Sequence, residues 1–124
     1  MPKHFEKKIV NFTAKQMYEL VADIDNYREF LPWCNDSKII EVTNIDNEKE
    51  TLIADLEIGY KDLVYTYRSN VLLDNQELTI KVDFVHGPFK NLDNSWIFKK
   101  IDDQSCEIEF FIDFELNVGV LNFL

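Results

Sequence analysis

Glycine and proline are scarce in this chain of 124 residues, three of each, and the glycines stand apart from one another. That spacing excludes a glycine-rich phosphate cradle. The two cysteines, Cys34 and Cys106, lie far apart and outside any CxxC pair, so they read as reduced, half-buried packing thiols rather than a disulfide framework or a metal site. Positive charge is also short. Lys and Arg number 13 against 23 Asp and Glu, a formal charge of −10, which makes the surface as a whole a poor match for nucleic acid or anionic membrane. No apolar run approaches the length of a membrane span, and Met1 to Lys8 carry neither an apolar signal core nor an arginine-rich presequence; a soluble, cytoplasmic protein is expected. His4 and His86 have no nucleophile or second ligand patterned nearby, so solvated or structural roles are expected, with no catalytic residues and no metal ligands.

Apolar and aromatic residues are abundant, at 46% and 14% of the chain, including ten Phe, five Tyr and two Trp. This excludes disorder and favours a strand-rich interior in one domain spanning residues 1–124. Lys3 to Phe12 fits an extended strand. Its Lys3, Lys7 and Lys8 read either as a solvated strand end or as a transient contact with lipid headgroups. Thr13-Ala14-Lys15-Gln16 has the form of a capping box, and Met17, Leu20, Val21 and Ile24 then recur at helical spacing, so an amphipathic helix starts at Thr13. Pro32 limits Asn26 to Leu31 to a short second helix.

The remainder alternates in the strand manner. Lys38 to Ile45 and Thr51 to Ile58 flank a turn at Asp46-Asn47, and Gly59 is expected to break the run. Leu63, Tyr65, Tyr67, Ser69 and Val71 share one face of the next strand, Asp74-Asn75 turns the chain, and Leu78, Ile80, Val82 and Phe84 continue the pattern. Trp96 to Ile101 and Cys106 to Leu116 make a last pair. About six or seven antiparallel strands with one good helix define an α+β chain. Such a sheet must close on itself or receive a helix to cover its apolar face.

Two readings of the apolar inventory stand side by side. The inward Leu, Ile, Tyr and Phe side chains either fill their own core or line a pocket of roughly 300–1,000 Å³ for an apolar ligand. Burying ~300 Å² of ligand hydrocarbon at ~25 cal/mol per Å² gives a gross ~7 kcal/mol before association costs. The turn carrying Phe30, Leu31, Pro32 and Trp33 holds more apolar surface than a loop usually does, so it covers either the core or a pocket mouth.

The stretch Val21-Ala22-Asp23-Ile24-Asp25-Asn26-Tyr27-Arg28-Glu29-Phe30-Leu31-Pro32-Trp33-Cys34 closely resembles the signature of the coenzyme Q-binding family of START-like proteins, which includes the ribosome-association toxin RatA. Ala54 to Tyr60, Gly87-Pro88-Phe89 with Leu92 and Trp96, and Asp113-Phe114-Glu115-Leu116 are similar to further family segments, in the family's order. The resemblance implies a helix-grip fold, a curved antiparallel sheet around a long C-terminal helix with a lipophilic cavity between. It implies a non-enzymatic binding protein or chaperone for ubiquinone or another apolar lipid, with no covalent cofactor, supporting respiration and peripheral at the inner membrane. The alternative it implies is a factor that binds the large ribosomal subunit and blocks subunit association. Carried onto this chain, the resemblance makes Phe30, Leu31, Pro32 and Trp33 and the loop with Pro88 and Phe89 a cavity rim. It makes Leu56, Ile58, Phe84, Trp96, Phe110 and Phe114 a lipid-binding lining. The chain departs from the family by finishing near where the long helix should begin, so a domain truncated before that helix, and a homo-oligomer covering the exposed face, are expected.

Overall fold

The computed structural model describes residues 3–30, 34–60 and 63–116. Within them seven strands form one antiparallel sheet: β1 (Lys3–Val10), β2 (Cys34–Asn44), β3 (Lys49–Tyr60), β4 (Leu63–Asp74), β5 (Thr79–His86), β6 (Phe89–Asp102) and β7 (Ser105–Leu116). The spatial order is β1-β7-β6-β5-β4-β3-β2. Strands β2 to β7 are therefore a meander, and β1 joins at the far edge beside β7. The crossing from β1 to β2 carries the helices α1 (Ala14–Ala22) and α2 (Tyr27–Phe30), separated by a 3-10 turn at Ile24–Asn26. The expected C-terminal helix and the segment 117–124 lie outside the described residues.

Helix α1 starts where its sequence dictates. The Thr13 hydroxyl accepts the Gln16 amide hydrogen at 3.1 Å, and the Thr13 amide donates to Gln16 Oε1 at 2.9 Å, so two of the otherwise unpaired first-turn donors are satisfied. The helix packs across β5, β6 and β7. Its buried residues are Ala14 and Tyr18, and the Tyr18 ring meets Phe98 edge-on at 6.2 Å. Leu20, expected on the buried face, is 47% exposed. The reason is rotational: Tyr18 takes the contact with the sheet, so the Leu20 side of the last turn overhangs the concave face instead.

Carboxylates fix the hairpin turns. Asp46 Oδ1 accepts the amides of Glu48 and Lys49 at 2.8 and 2.9 Å between β2 and β3. Asp74 Oδ1 accepts those of Gln76 and Glu77 between β4 and β5. Two expectations are corrected. Gly59 does not end its strand but pairs with Val64 inside β3, because Asn35 of β2 packs where a side chain would stand. Strand β6 starts at Phe89 rather than at Trp96, since Asn91 to Ser95 are paired to β7 along their length. That ladder outweighs their low intrinsic strand preference.

Register aligns the apolar faces. Leu52 faces Val71, Val71 faces Val82, Val82 faces Asn94, and Asn94 faces Ile112. The buried core of Leu52, Ala54, Val71, Leu73, Ile80, Phe98 and Cys106 gathers on this concave face with Ala14, Tyr18 and Ile24. The opposite face holds the ion pairs. Arg68 donates to both oxygens of Asp55 at 2.7 and 2.9 Å, and Lys7 and Lys99 flank Glu109. These pairs engage Asp55 and Glu109 among the alternating acids. Lys3 lies 4.0 Å from Asp113, so two of the three N-terminal lysines face carboxylates of β7.

Candidate functional site

The last turn of α1 and the 3-10 turn are held over the sheet by polar ties. Asp25 Oδ1 accepts the Ile39 amide at 2.8 Å, Arg28 donates to Asp36 at 3.0 Å, and the Tyr27 hydroxyl donates to the Val21 carbonyl. The Arg28 and Ser37 hydrogen bonds hold the Asp36 carboxyl below its usual range. With the helical segment anchored to the edge strand β2, the space between it and the concave face stays open. The result is a cavity of about 550 Å³.

Its roof is Leu20, Val21, Ile24 and Tyr27. Its floor is the inner face of β3 to β7, from Leu56 and Ile58 through Tyr67, Val71, Ile80 and Val82 to Leu92, Trp96, Phe110 and Ile112. Phe89 and Phe114 close one end, their rings edge-on at 6.0 Å. Trp96 lies parallel to Phe98 at 6.2 Å and meets Phe110 at 4.6 Å, an aromatic wall whose rings restrain one another.

Six residues expected to bind lipid therefore line one cavity: Leu56, Ile58, Phe89, Trp96, Phe110 and Phe114. Phe84 stands behind the wall, edge-on to Phe89 at 5.8 Å. Pro88 is buried in the β5–β6 turn. Neither belongs to the lining, which Phe89 joins at this end. Phe30 ends α2, and Leu31, Pro32 and Trp33 lie outside the described residues. Sequence reasoning missed the roof residues of α1, whose helical spacing looks the same whether they meet a core or a cavity. It also missed Asn94, a polar residue in an inward register.

Among the described residues the lining has five polar side chains: Tyr27, Tyr67, Ser69, Asn94 and Trp96. Asn94 Nδ2 donates to the Phe111 carbonyl at 2.7 Å, and its Oδ1 accepts from Trp96 Nε1 at 3.2 Å. Burial pushes the Tyr67 phenol up to about 12, with Cys34 adding to the shift, and burial raises Tyr27 further. Both are therefore neutral hydroxyls at physiological pH. Among the described residues, Tyr27 and Tyr67 are the only titratable groups in the lining. The histidines are exposed, outside the cavity, and among the described residues no cluster of three His, Cys, Asp or Glu is placed to hold a metal. Cys34 and Cys106 are free, buried thiols, each raised by burial. No helix among the described residues is long and apolar enough to cross a membrane.

A sheet gripping a helical segment over an apolar cavity is the architecture of a lipid-transport and cyclase fold. The chain belongs to the polyketide cyclase / dehydrase and lipid transport family, whose match covers residues 10–124. It is 37% identical over 115 residues to the ribosome association toxin RatA of Escherichia coli strain K12, covering 93% of this chain and 69% of that protein. It is 30% identical to the coenzyme Q-binding protein COQ10 homolog B of Xenopus laevis, covering 91% of this chain and 46% of that one. Among solved structures, an 18 kDa protein from Caulobacter crescentus matches with a TM-score of 0.78 at 30% identity, covering 98% of this chain and 81% of that one. The Zhui aromatase/cyclase from a Streptomyces species matches at 0.79 with 17% identity, covering 94% and 68%. The last likeness is one of fold alone.

Proposed function

We propose that this protein is a non-enzymatic binding protein or chaperone for a prenylated quinone or a similar apolar lipid. The observation that carries this reading is the cavity of about 550 Å³, a volume typical of small-molecule sites, with walls almost wholly of Leu, Ile, Val, Phe and Trp. Such walls give affinity by removing ligand hydrocarbon from water and need no charged anchor. The non-enzymatic part rests on chemistry. Among the described residues the only titratable lining groups are tyrosines, Tyr67 raised to about 12 and Tyr27 higher still, so these residues offer no acid and base pair poised near neutrality. Similarity to the coenzyme Q-binding protein supports a quinone as the ligand. Organic extraction of the purified protein, followed by addition of ubiquinone, tests the reading: co-purified or added quinone is expected in the bound fraction, and its absence from both sinks it.

A second reading has its own support, the 37% identity to RatA. Here the protein docks on the large ribosomal subunit and opposes subunit joining. The formal charge of −10 directs such docking to ribosomal proteins rather than to bare RNA. Co-sedimentation with large subunits at low and high salt is its test; no co-sedimentation at either salt removes this reading.

A further inference from the structure

Of the five polar side chains in the cavity wall, three are already engaged: Asn94 and Trp96 with each other, Asn94 also with the Phe111 carbonyl, and Tyr27 with the Val21 carbonyl. The other two, Tyr67 and Ser69, have no hydrogen-bond partner among the described residues. They sit two residues apart on the inner face of β4, so both side chains point to the same side. Ser69 is 2% exposed, yet it belongs to the cavity lining. Tyr67 is fixed in place: its ring meets Phe89 edge-on at 5.6 Å, and its backbone and Cβ press against Gly87. A wall built only to exclude water would have Phe and Ala at these positions. A hydroxyl that opens onto an apolar cavity without a protein partner is poorly solvated there, and a ligand group that accepts its hydrogen bond completes it.

We infer that Tyr67 and Ser69 form a two-donor seat for the oxygen atoms of an otherwise apolar ligand, so that the cavity selects carbonyl-bearing lipids over plain hydrocarbons. This rests on the lipid-binding reading above and adds the head-group chemistry to it. Neutral hydroxyls suit a carbonyl, which accepts hydrogen bonds and carries no charge into the apolar space. They do not suit a carboxylate or phosphate, for which no cationic side chain among the described residues lines the wall. The ring would lie against β4 with its tail along the apolar floor towards Trp96 and Phe110.

The test compares decylubiquinone with decylbenzene, which has the same tail length and no carbonyl, by equilibrium binding to the wild-type chain and to the Tyr67→Phe and Ser69→Ala variants. Wild type is expected to prefer the quinone about five- to tenfold, the effect of one or two neutral hydrogen bonds. Tyr67→Phe is expected to lower that preference to about twofold, and Ser69→Ala to lower it by about half, each ratio being taken against decylbenzene bound to the same variant. Full preference retained in both variants overturns the seat while leaving lipid binding intact. Failure of wild type to bind either ligand overturns lipid binding and the seat together. Should Tyr67→Phe lose decylbenzene as well, the Ser69→Ala ratio decides: an undiminished preference there overturns the seat.

Discussion

Gly87 is the position where a single methyl group should do the most damage. A Cβ built there would stand 2.5 Å from Tyr67 Cβ and 3.0 Å from its Cα, and the backbone φ is +150°, a conformation side-chain-bearing residues rarely adopt. The atoms in the way belong to the β4 backbone and its first side-chain carbon, so no rotamer change relieves the clash. Strain at such a φ costs about 1–3 kcal/mol, and forced displacement of packed atoms about 1–3 kcal/mol more. Gly87→Ala should therefore destabilise by about 2–5 kcal/mol, which lowers the melting temperature by at least about 6 °C in a domain of this size. Gly59 is the internal control. Its added Cβ would meet only the side-chain amide of Asn35, at 2.7 Å, and an exposed amide can swing away. Gly59→Ala should stay within about 1 kcal/mol of wild type, because the lost unfolded-state freedom of glycine offsets the adjustment. Circular-dichroism melts of the two variants decide the matter. Equal losses, or a Gly87→Ala protein that melts with wild type, would refute the claim that this close approach of the β5–β6 turn to Tyr67 is structural.

Filling the cavity should separate binding from stability. Val82→Trp places an indole on the half-buried floor, opposite Asn94, and is expected to reduce decylubiquinone affinity more than about tenfold while the melting temperature holds or rises; undiminished affinity would move the ligand elsewhere. The acid limb of stability has a named contributor. Arg68 holds the Asp55 carboxyl below its usual value, so the pair stabilises the fold above the unfolded carboxyl value near 4 and loses that effect as pH falls through the depressed folded value. Urea melts at falling pH should show a shallower loss for Asp55→Asn than for wild type, and parallel limbs would assign the acid sensitivity to other carboxylates.

Much of the fold was legible because the signals were local. Thr13 and Gln16 are three residues apart and meet directly, and the alternation from Leu63 to Leu72 predicts the two faces of β4. The features that escaped depend on partners distant in sequence. Gly59 looks like a breaker until Asn35 of β2 is brought beside it. The strand expected from Trp96 starts seven residues earlier, because a long ladder to β7 takes in Asn91 to Ser95. The site was half legible for the same reason. The family resemblance pointed to Trp96 and Phe110 as lining, where alternation alone left core and pocket open, whereas the division of α1 between Tyr18 on the core and Leu20 over the cavity depends on how the helix is rotated against β6.

The proposal that the space between α1 and the sheet is a lipid site can be tested on the protein as purified. Its most direct measurement is mass-spectrometric analysis of a solvent extract from the purified wild-type chain, followed by equilibrium titration of the extracted protein with decylubiquinone. A prenylated quinone or similar lipid is expected in the extract, and saturable binding that Val82→Trp weakens. An extract free of lipid, together with no saturable uptake of the quinone, would contradict it.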